Sequence, residues 1–515
     1  MKKAICAVIC AVSLLLCAAC AGNGGETGKA PDESGGVQLK DEKISLIYCS
    51  GDSFNPYTAK TKYNKELSRL IYDPLIKYDN SFEPVYCLAQ SAVLSGKTCT
   101  VTLKTASWTD NTAVTADDVV YSYNLAKKSA AYGSALYEVT SAAAAGNTVT
   151  FTLNAADPYF LNLLDFPILK AGSDTLRDSD GIEIPPIGSG RYYLSEDKKL
   201  LLRNGGYFGT LGEVSEISLL DVPDEASASH YVEVGAADVY YAGETVENVA
   251  RMSGRRADVN TNNFVYIGIN AANGLLESGY IRYAISAAID RAEICHSAYY
   301  DNATPASGFF NPVIKETAAV QSLKTVADLQ ISVENLGKIG YNISDNGYYA
   351  NASGKHPVFT LLVNSDNPSR VAAANLIANQ CRAAGIEIKV IMRDYAGYVA
   401  ALESGNFQLY LGEIRVLANM DLYNLVVPGG SAAYGVKAGA DESGAAAPTV
   451  CQSMIAAYKN GECSLSDLAG AFLTEMPQIP VCYRKGMLFY TSRIESDAQP
   501  SLSDIYLSFE NYKFK

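Results

Sequence analysis

The sequence predicts an α/β protein with more than one lobe, and three observations carry that expectation. The chain has 515 residues, 48% of them hydrophobic, which at roughly 100–200 residues per domain is material for two to four cores. From about Phe264 onward the pattern alternates strand with helix, which predicts a largely parallel sheet. Before that point hairpin signals mix with isolated helical stripes, so a lobe boundary is expected near residue 265.

At the N-terminus, Lys2 and Lys3 precede an almost unbroken apolar stretch from Ala4 to Leu16. That stretch is shorter than the ~20 residues a membrane-spanning helix needs, and it predicts an export signal over residues 1–19. Leu16-Cys17-Ala18-Ala19-Cys20 resembles a bacterial lipobox, with Cys17 where Leu is usual, and makes Cys20 the expected lipidation site. Residues 20–40 are rich in Gly and acids and poor in apolar groups, the composition of a flexible tether. No other segment approaches transmembrane length, so the lipid is expected to be the membrane attachment, at the outer face of the cytoplasmic membrane.

Lys43 to Cys49 is a β-rich apolar run that stops at Gly51-Asp52, a strand and a turn. Tyr63, Leu67, Leu70 and Ile71 recur at helical spacing. Cys99 to Lys104 alternates after Ser95-Gly96-Lys97 and predicts a hairpin strand; Thr148 to Leu153 alternates again. Between them Thr115 stands as an N-cap with Asp118 at the third position of a helix toward Lys128. Phe264 to Ile269 is a strand, Ile281, Ile285, Ala288 and Ile289 form a helical stripe, and His356 to Val363 is a strand. Asn367-Pro368 opens a helix that Gly385 stops. A strand from Ile386 to Met392, a helix through Tyr395, Tyr398, Val399 and Leu402 ended by Gly405, and a strand from Phe407 to Leu411 follow. The C-terminal residues are expected to return to the first lobe, and no internal repeat is evident.

With 41 Lys+Arg against 55 Asp+Glu, the net charge of −14 and the lack of a basic block exclude a nucleic-acid lattice as partner. Three histidines (His230, His296, His356) leave little for imidazole catalysis or metal clusters. Beyond the N-terminal four, eight cysteines form no CxxC motif, so zinc is not expected; they allow 105 disulfide connectivities, and free thiols are equally open. Glu293 and His296, at i and i+3, supply two metal ligands at most. Gly51-Asp52-Ser53 resembles the nucleophile block of GDS-type hydrolases, but no histidine stands three residues after an aspartate, so the serine lacks its base. No catalytic residue, metal or cofactor is assigned.

The informative stretch runs from Trp108 to Tyr123: Trp108-Thr-Asp110-Asn111, then Thr115-Ala-Asp117-Asp118-Val-Val-Tyr121-Ser. It resembles a signature of the oligopeptide- and dipeptide-binding proteins of ABC importers, extracytoplasmic solute-binding protein family 5, with Asn111 where the family turn has Gly. Leu70-Ile71-Tyr72-Asp73-Pro74-Leu75, Leu88-Ala89-Gln90-Ser91, Gly235-Ala-Ala-Asp238-Val239 and Ile281-Arg282-Tyr283-Ala284 through Asp290-Arg291 are similar to further family segments in the same order. Pro186-Ile187-Gly188-Ser189-Gly190-Arg191-Tyr192 resembles its Gly-Thr-Gly-Pro-Tyr turn, with Arg191 for Pro, and Ile479-Pro480-Val481 its closing strand.

The resemblance implies a two-lobed, periplasmic-binding-protein-like type II fold with an additional inserted α+β domain. Domain I is expected at 41–66, 185–264 and 478–515, domain II at 67–184 and domain III at 265–477. It implies no enzyme, but a monomeric binding protein that encloses a peptide by hinge closure and delivers it to ABC permease and ATPase subunits. A nickel chelate or another non-peptide solute is the alternative, and a surface-anchored hydrolase a remoter one. In peptide-binding members a domain III carboxylate holds the ligand's ammonium; Asn419 falls on that position here, with Asp421 and Glu413 as the nearest acids. Either Asp421 takes that role or the ligand lacks a free amine there. Arg415 and Phe54 complete the expected ligand-binding set.

Overall fold

The computed structural model describes residues 43–244, 254–344, 349–440, 443–495 and 498–514. The expected export signal, Cys20 and the tether lie outside the described residues.

Strand β1 (Ile44–Tyr48) opens the first lobe, its apolar side chains buried. The Asp52 carboxylate then accepts the backbone N–H groups of Ser53, Lys60 and Thr61, and Thr61 caps α1 (Lys62–Ile71), which buries Leu67, Leu70 and Ile71. A short hairpin, β2 (Ile76–Tyr78) with β3 (Pro84–Tyr86), follows.

The next strands, β4 (Ala89–Ser95), β5 (Thr98–Leu103), β6 (Val139–Ala145) and β7 (Thr148–Leu153), make an antiparallel sheet in the order β4-β5-β7-β6. Cys99, Val101 and Leu103 on β5 are buried in the same alternation as Val149, Phe151 and Leu153 on β7, and the turns carry positive-φ glycines, Gly96 and Gly146. The two hairpins are an internal repeat, against the expectation of none: Ala89–Leu103 and Val139–Leu153 share a burial pattern, a glycine turn and seven of fifteen residues. Helix α2 (Ala116–Lys128) packs on this sheet and starts at the predicted cap: Thr115 accepts from the Asp118 amide while Asp118 accepts from Thr115. Asn111 takes φ 66° in the preceding turn, the left-handed conformation that asparagine tolerates in place of glycine.

The chain returns to the first lobe through β8 (Tyr192–Leu194), β9 (Leu200–Arg203), β10 (Glu216–Asp221), α3 (Glu225–Glu233) and β11 (Val239–Gly243). The turn before β8 needs its glycines: a Cβ on Gly188 or Gly190 would stand 2.1 or 2.5 Å from the Ile71 carbonyl oxygen at the end of α1. Arg191 follows because its guanidinium reaches the C-terminal tail, at 3.3 Å from Asp504 and 3.0 Å from Glu510. Lys77 meets the same Asp504 at 2.9 Å, and these two cations hold that buried carboxyl below its ordinary value although burial alone raises it.

Strand β12 (Arg255–Ile269) is fifteen residues long and carries the chain into the second lobe. There α4 (Gly279–Ala288), α5 (Arg291–Tyr299), β13 (Ala303–Pro305), α6 (Leu329–Lys338) and a small hairpin of β14 (Asn342–Ile343) and β15 (Tyr349–Ala350) lead to β16 (Val358–Asn364), α7 (Pro368–Ala383), β17 (Glu387–Arg393), α8 (Tyr395–Glu403) and β18 (Leu409–Arg415). After α9 (Tyr423–Val426), the β19 (Gly439–Ala440) and β20 (Ala446–Ala447) pair, α10 (Val450–Lys459) and α11 (Leu465–Glu475), β21 (Ile479–Tyr490) runs back to the first lobe. Gly385 and Gly405 end α7 and α8 at positive φ, as predicted.

One eleven-stranded sheet among the described residues spans both lobes in the order β17-β16-β18-β12-β21-β11-β1-β10-β9-β8, with β13 on β21. The pairs β16–β17 and β16–β18 are parallel, as strand–helix alternation predicts; β12 is antiparallel to β18 and β21. The reason is connectivity: β12 leaves the first lobe and β21 returns to it. Their register breaks between Asn260 and Phe264, and Asn262 there sits at φ 55°. Among the described residues β12 and β21, whose register shifts again between Val265 and Tyr266, therefore connect the lobes, the geometry of a hinge. All eight cysteines among the described residues are free thiols.

Candidate functional site

A cavity of about 260 Å³ opens where the first lobe, the inserted sheet and the second lobe meet. Helix α1 supplies Lys65, Glu66 and Arg69, because the face next to its buried stripe is turned to the cleft. Tyr78, Phe82, Tyr132 and Asp165 come from the inserted segment, and Arg415 to Ala418 from the end of β18. Arg69 donates to the Asp165 carbonyl at 2.6 Å and stands 3.7 Å from its carboxylate. Burial in the cavity pushes the Glu66 carboxyl up to about 7, with Arg69 opposing, and raises Asp165 against the same guanidinium. The hinge holds the second-lobe wall directly: the Val416 amide donates to the Asn262 carbonyl at 3.1 Å, and the Asn262 side chain donates back to Val416 at 3.3 Å.

Beside the cavity the lobes touch through polar groups. Asn162 donates to the Phe82 carbonyl at 2.8 Å and to the Ala418 carbonyl across the cleft at 3.1 Å. Asn419 donates to the Asp157 carboxylate at 2.8 Å, and Lys459 bridges Asp421 at 2.9 Å and Glu138 at 3.2 Å. Burial pushes Asp157 up to about 6 although Asn419 and the Tyr159 amide lower it. Burial pulls the Lys459 ammonium down, yet Asp421 and Glu138 keep it above its ordinary value.

Residues 83–426 match the family described as bacterial extracellular solute-binding proteins, family 5 middle. The chain belongs to this family. Its members are solute-binding proteins of ABC transporters, not enzymes. The oligopeptide-binding protein AppA of Bacillus subtilis (strain 168) is 23% identical over 424 residues, covering 77% of each chain. An ABC transporter substrate-binding protein from Sinorhizobium meliloti superposes with a TM-score of 0.73 at 17% identity, over 92% of this chain and all of the other. NikA from Brucella suis, in complex with Fe(III)-EDTA, gives 0.67 at 16% identity over the same shares. The fold is thus the two-lobed type II binding-protein fold.

In this solute-binding protein the five predicted ligand residues fall in different places. Arg415 lines the cavity, its guanidinium steadied by Asn263 at 3.0 Å and Glu244 at 3.6 Å. Glu413 faces away, paired with Arg370 at 2.8 Å and Arg484 at 3.8 Å beside a second cavity of about 560 Å³. Asn419 and Asp421 border a void of about 30 Å³ at the lobe contact, engaged as described above. Phe54 stacks on Tyr48 in the first-lobe core and is not among the cavity-lining residues. Asp52 accepts from the Thr61 amide and hydroxyl at 2.7 Å and so supports the cap of α1, while Ser53 donates to Glu183 at 2.7 Å. His296 pairs with Asp301 at 3.2 Å on an exposed face. Glu66, Arg69, Asp157 and Asp165 were not among the predicted residues; one available signal was charge flanking the apolar stripe of α1. Among the described residues no helix is long and apolar enough to cross a membrane.

Proposed function

We propose that the protein captures short peptides between its lobes and hands them to the permease of an ABC importer. In this reading it works as a monomer, tethered by a lipid on Cys20 to the outer face of the cytoplasmic membrane, with domains I, II and III divided as the sequence predicts. The observation that carries the ligand class is the cavity: acids and bases share one small chamber with aromatic walls, the complement of a zwitterion. Its ~260 Å³ lies just below the usual ~300–1,000 Å³ for ligand pockets, which favours short ligands. AppA of Bacillus subtilis, by name an oligopeptide-binding protein, supports the same class.

The second reading is a metal chelate, favoured by the likeness to NikA with Fe(III)-EDTA. None of the three histidines lines the cavity, so a chelated metal would bring its own ligands. Native mass spectrometry of the purified protein separates the two: a co-purified peptide mass supports the proposal, and a metal-bearing adduct replaces it with the chelate. Scattering should show a smaller radius when that ligand is restored; an unchanged radius argues against closure. Cys20→Ser should move the protein out of the membrane fraction, and full retention of that variant would sink the anchor.

A further inference from the structure

We infer that Glu66 is the counter-ion of the ligand's ammonium group, so that the amine is recognised from the first lobe, by α1. This rests on the cavity being the ligand site. Among the described residues, Glu66 has no hydrogen-bond or ion-pair partner, and it lines the cavity. The neighbouring acids are taken. Asp165 has Arg69, Glu413 has Arg370, and Asp421 has Lys459. Asn419, where a charge was expected, carries none and is spent on Asp157. The cavity cations are also partly committed, Arg69 to Asp165 and Arg415 to Asn263 and Glu244. Lys65, exposed at the rim beside Glu66, remains for a ligand carboxylate. Tyr78, Phe82 and Tyr132 supply the aromatic part of the same wall.

An unpaired carboxyl in such a chamber is costly to ionise. Burial accordingly brings Glu66 to about 7, so near neutrality it is half protonated. Its charged surroundings are Lys62, Lys65 and Arg69 on its own helix, Asp504 on the tail, Asp165 on the inserted segment and Arg415 on β18. The nearby phenols, Tyr132, Tyr241 and Tyr506, are all raised above their ordinary values and stay neutral. An arriving ammonium replaces the proton: the carboxylic acid becomes a carboxylate paired with the ligand cation, and one proton leaves to solvent. Affinity must then fall as pH drops below 7, by about tenfold per unit.

The test is calorimetric titration of the chain with trialanine and N-acetyl-trialanine between pH 5.5 and 8, in buffers of different ionisation enthalpy. Wild type should prefer the free amine about ten- to hundredfold at pH 8 and release a proton on binding near pH 6. Glu66→Gln, checked for folding by thermal melting and paralleled by Glu66→Ala, should lose the preference, the slope and the proton. Ala418→Trp fills the cavity and should abolish binding of both peptides. If Ala418→Trp binds normally, the cavity is not the ligand site. If Ala418→Trp fails to bind while Glu66→Gln keeps the preference and the slope, the cavity stands and the role of Glu66 falls. Affinity that rises as pH falls places an anionic group at Glu66 and overturns the inference. Binding of neither peptide overturns the short-peptide reading and this inference with it.

Discussion

In the proposed closure of the lobes, Asp157 should impose a pH dependence whose sign and size are set by its surroundings. In the closed arrangement its carboxyl titrates near 6; with the lobes apart, solvent returns it to the ordinary ~3.9. A carboxyl raised in the closed state favours closure when protonated, so the advantage is full below the open value. It is lost as pH rises from about 4 to 6. The two-unit gap is worth about 3 kcal/mol in all, and between pH 7 and pH 5 the closed-to-open ratio should rise about tenfold. Glu138 is the cross-lobe acid that opposes this: burial raises it, but Tyr137, Lys459 and Asn154 hold it below its ordinary value, so its contribution disappears only at lower pH. Asp157→Asn keeps the shape and a partner for Asn419 but cannot titrate, so its response should be flat. The assay is single-molecule energy transfer on ligand-free protein, with dyes on unnatural amino acids at the exposed positions Lys97 and Lys389. A closed fraction that stays level or falls between pH 7 and 5, or an equal slope in Asp157→Asn, would refute the reasoning.

Three stability predictions follow from packing. Arg191→Met strands buried Asp504 with one cation instead of two, and urea unfolding should show a loss of about 3–5 kcal/mol, the range for breaking a buried pair. Gly190→Ala drives a methyl to 2.5 Å from the Ile71 carbonyl and should lower the melting temperature far more than Gly205→Ala, which has open space. At the hinge, Asn262→Val and Asn262→Gly both lose the side-chain bond to Val416, but Val also puts a β-branched residue at φ 55°, so it should cost about 1–2 kcal/mol more than Gly in the same unfolding assay.

What was legible in the sequence is what local physics decides. The Thr115–Asp118 cap, the Asn367-Pro368 start of α7 and the positive-φ residues Asn111, Gly385 and Gly405 each need only a few neighbouring residues. The full length of β12 was not legible, because Arg255 to Asn263 is mostly polar and becomes a strand only by pairing with β21. The candidate site divides the same way. Arg415 stands at the end of a predicted strand and lines the cavity. Phe54 lies in a turn near β1, and only the packing of Tyr48 shows it to be core. Asp157 meets Asn419 across 262 residues, a contact that no local pattern announces. Glu66 looks like any charged residue on a helix flank until the opposing lobe covers it.

The buried union of Lys77 with Asp504 spans 427 residues of chain. During synthesis the inserted sheet emerges complete and the helices and parallel strands of the second lobe follow, while the first lobe waits for β21 and the tail. Until then Lys77 and Arg191 sit without their shared anion, and β11 lacks the β21 edge it pairs with. The first lobe is therefore the slow, high-contact-order part of folding. A chain cut short before β21 keeps the inserted sheet on an unfinished base, exposing strand edge and apolar surface where a quality-control protease can begin.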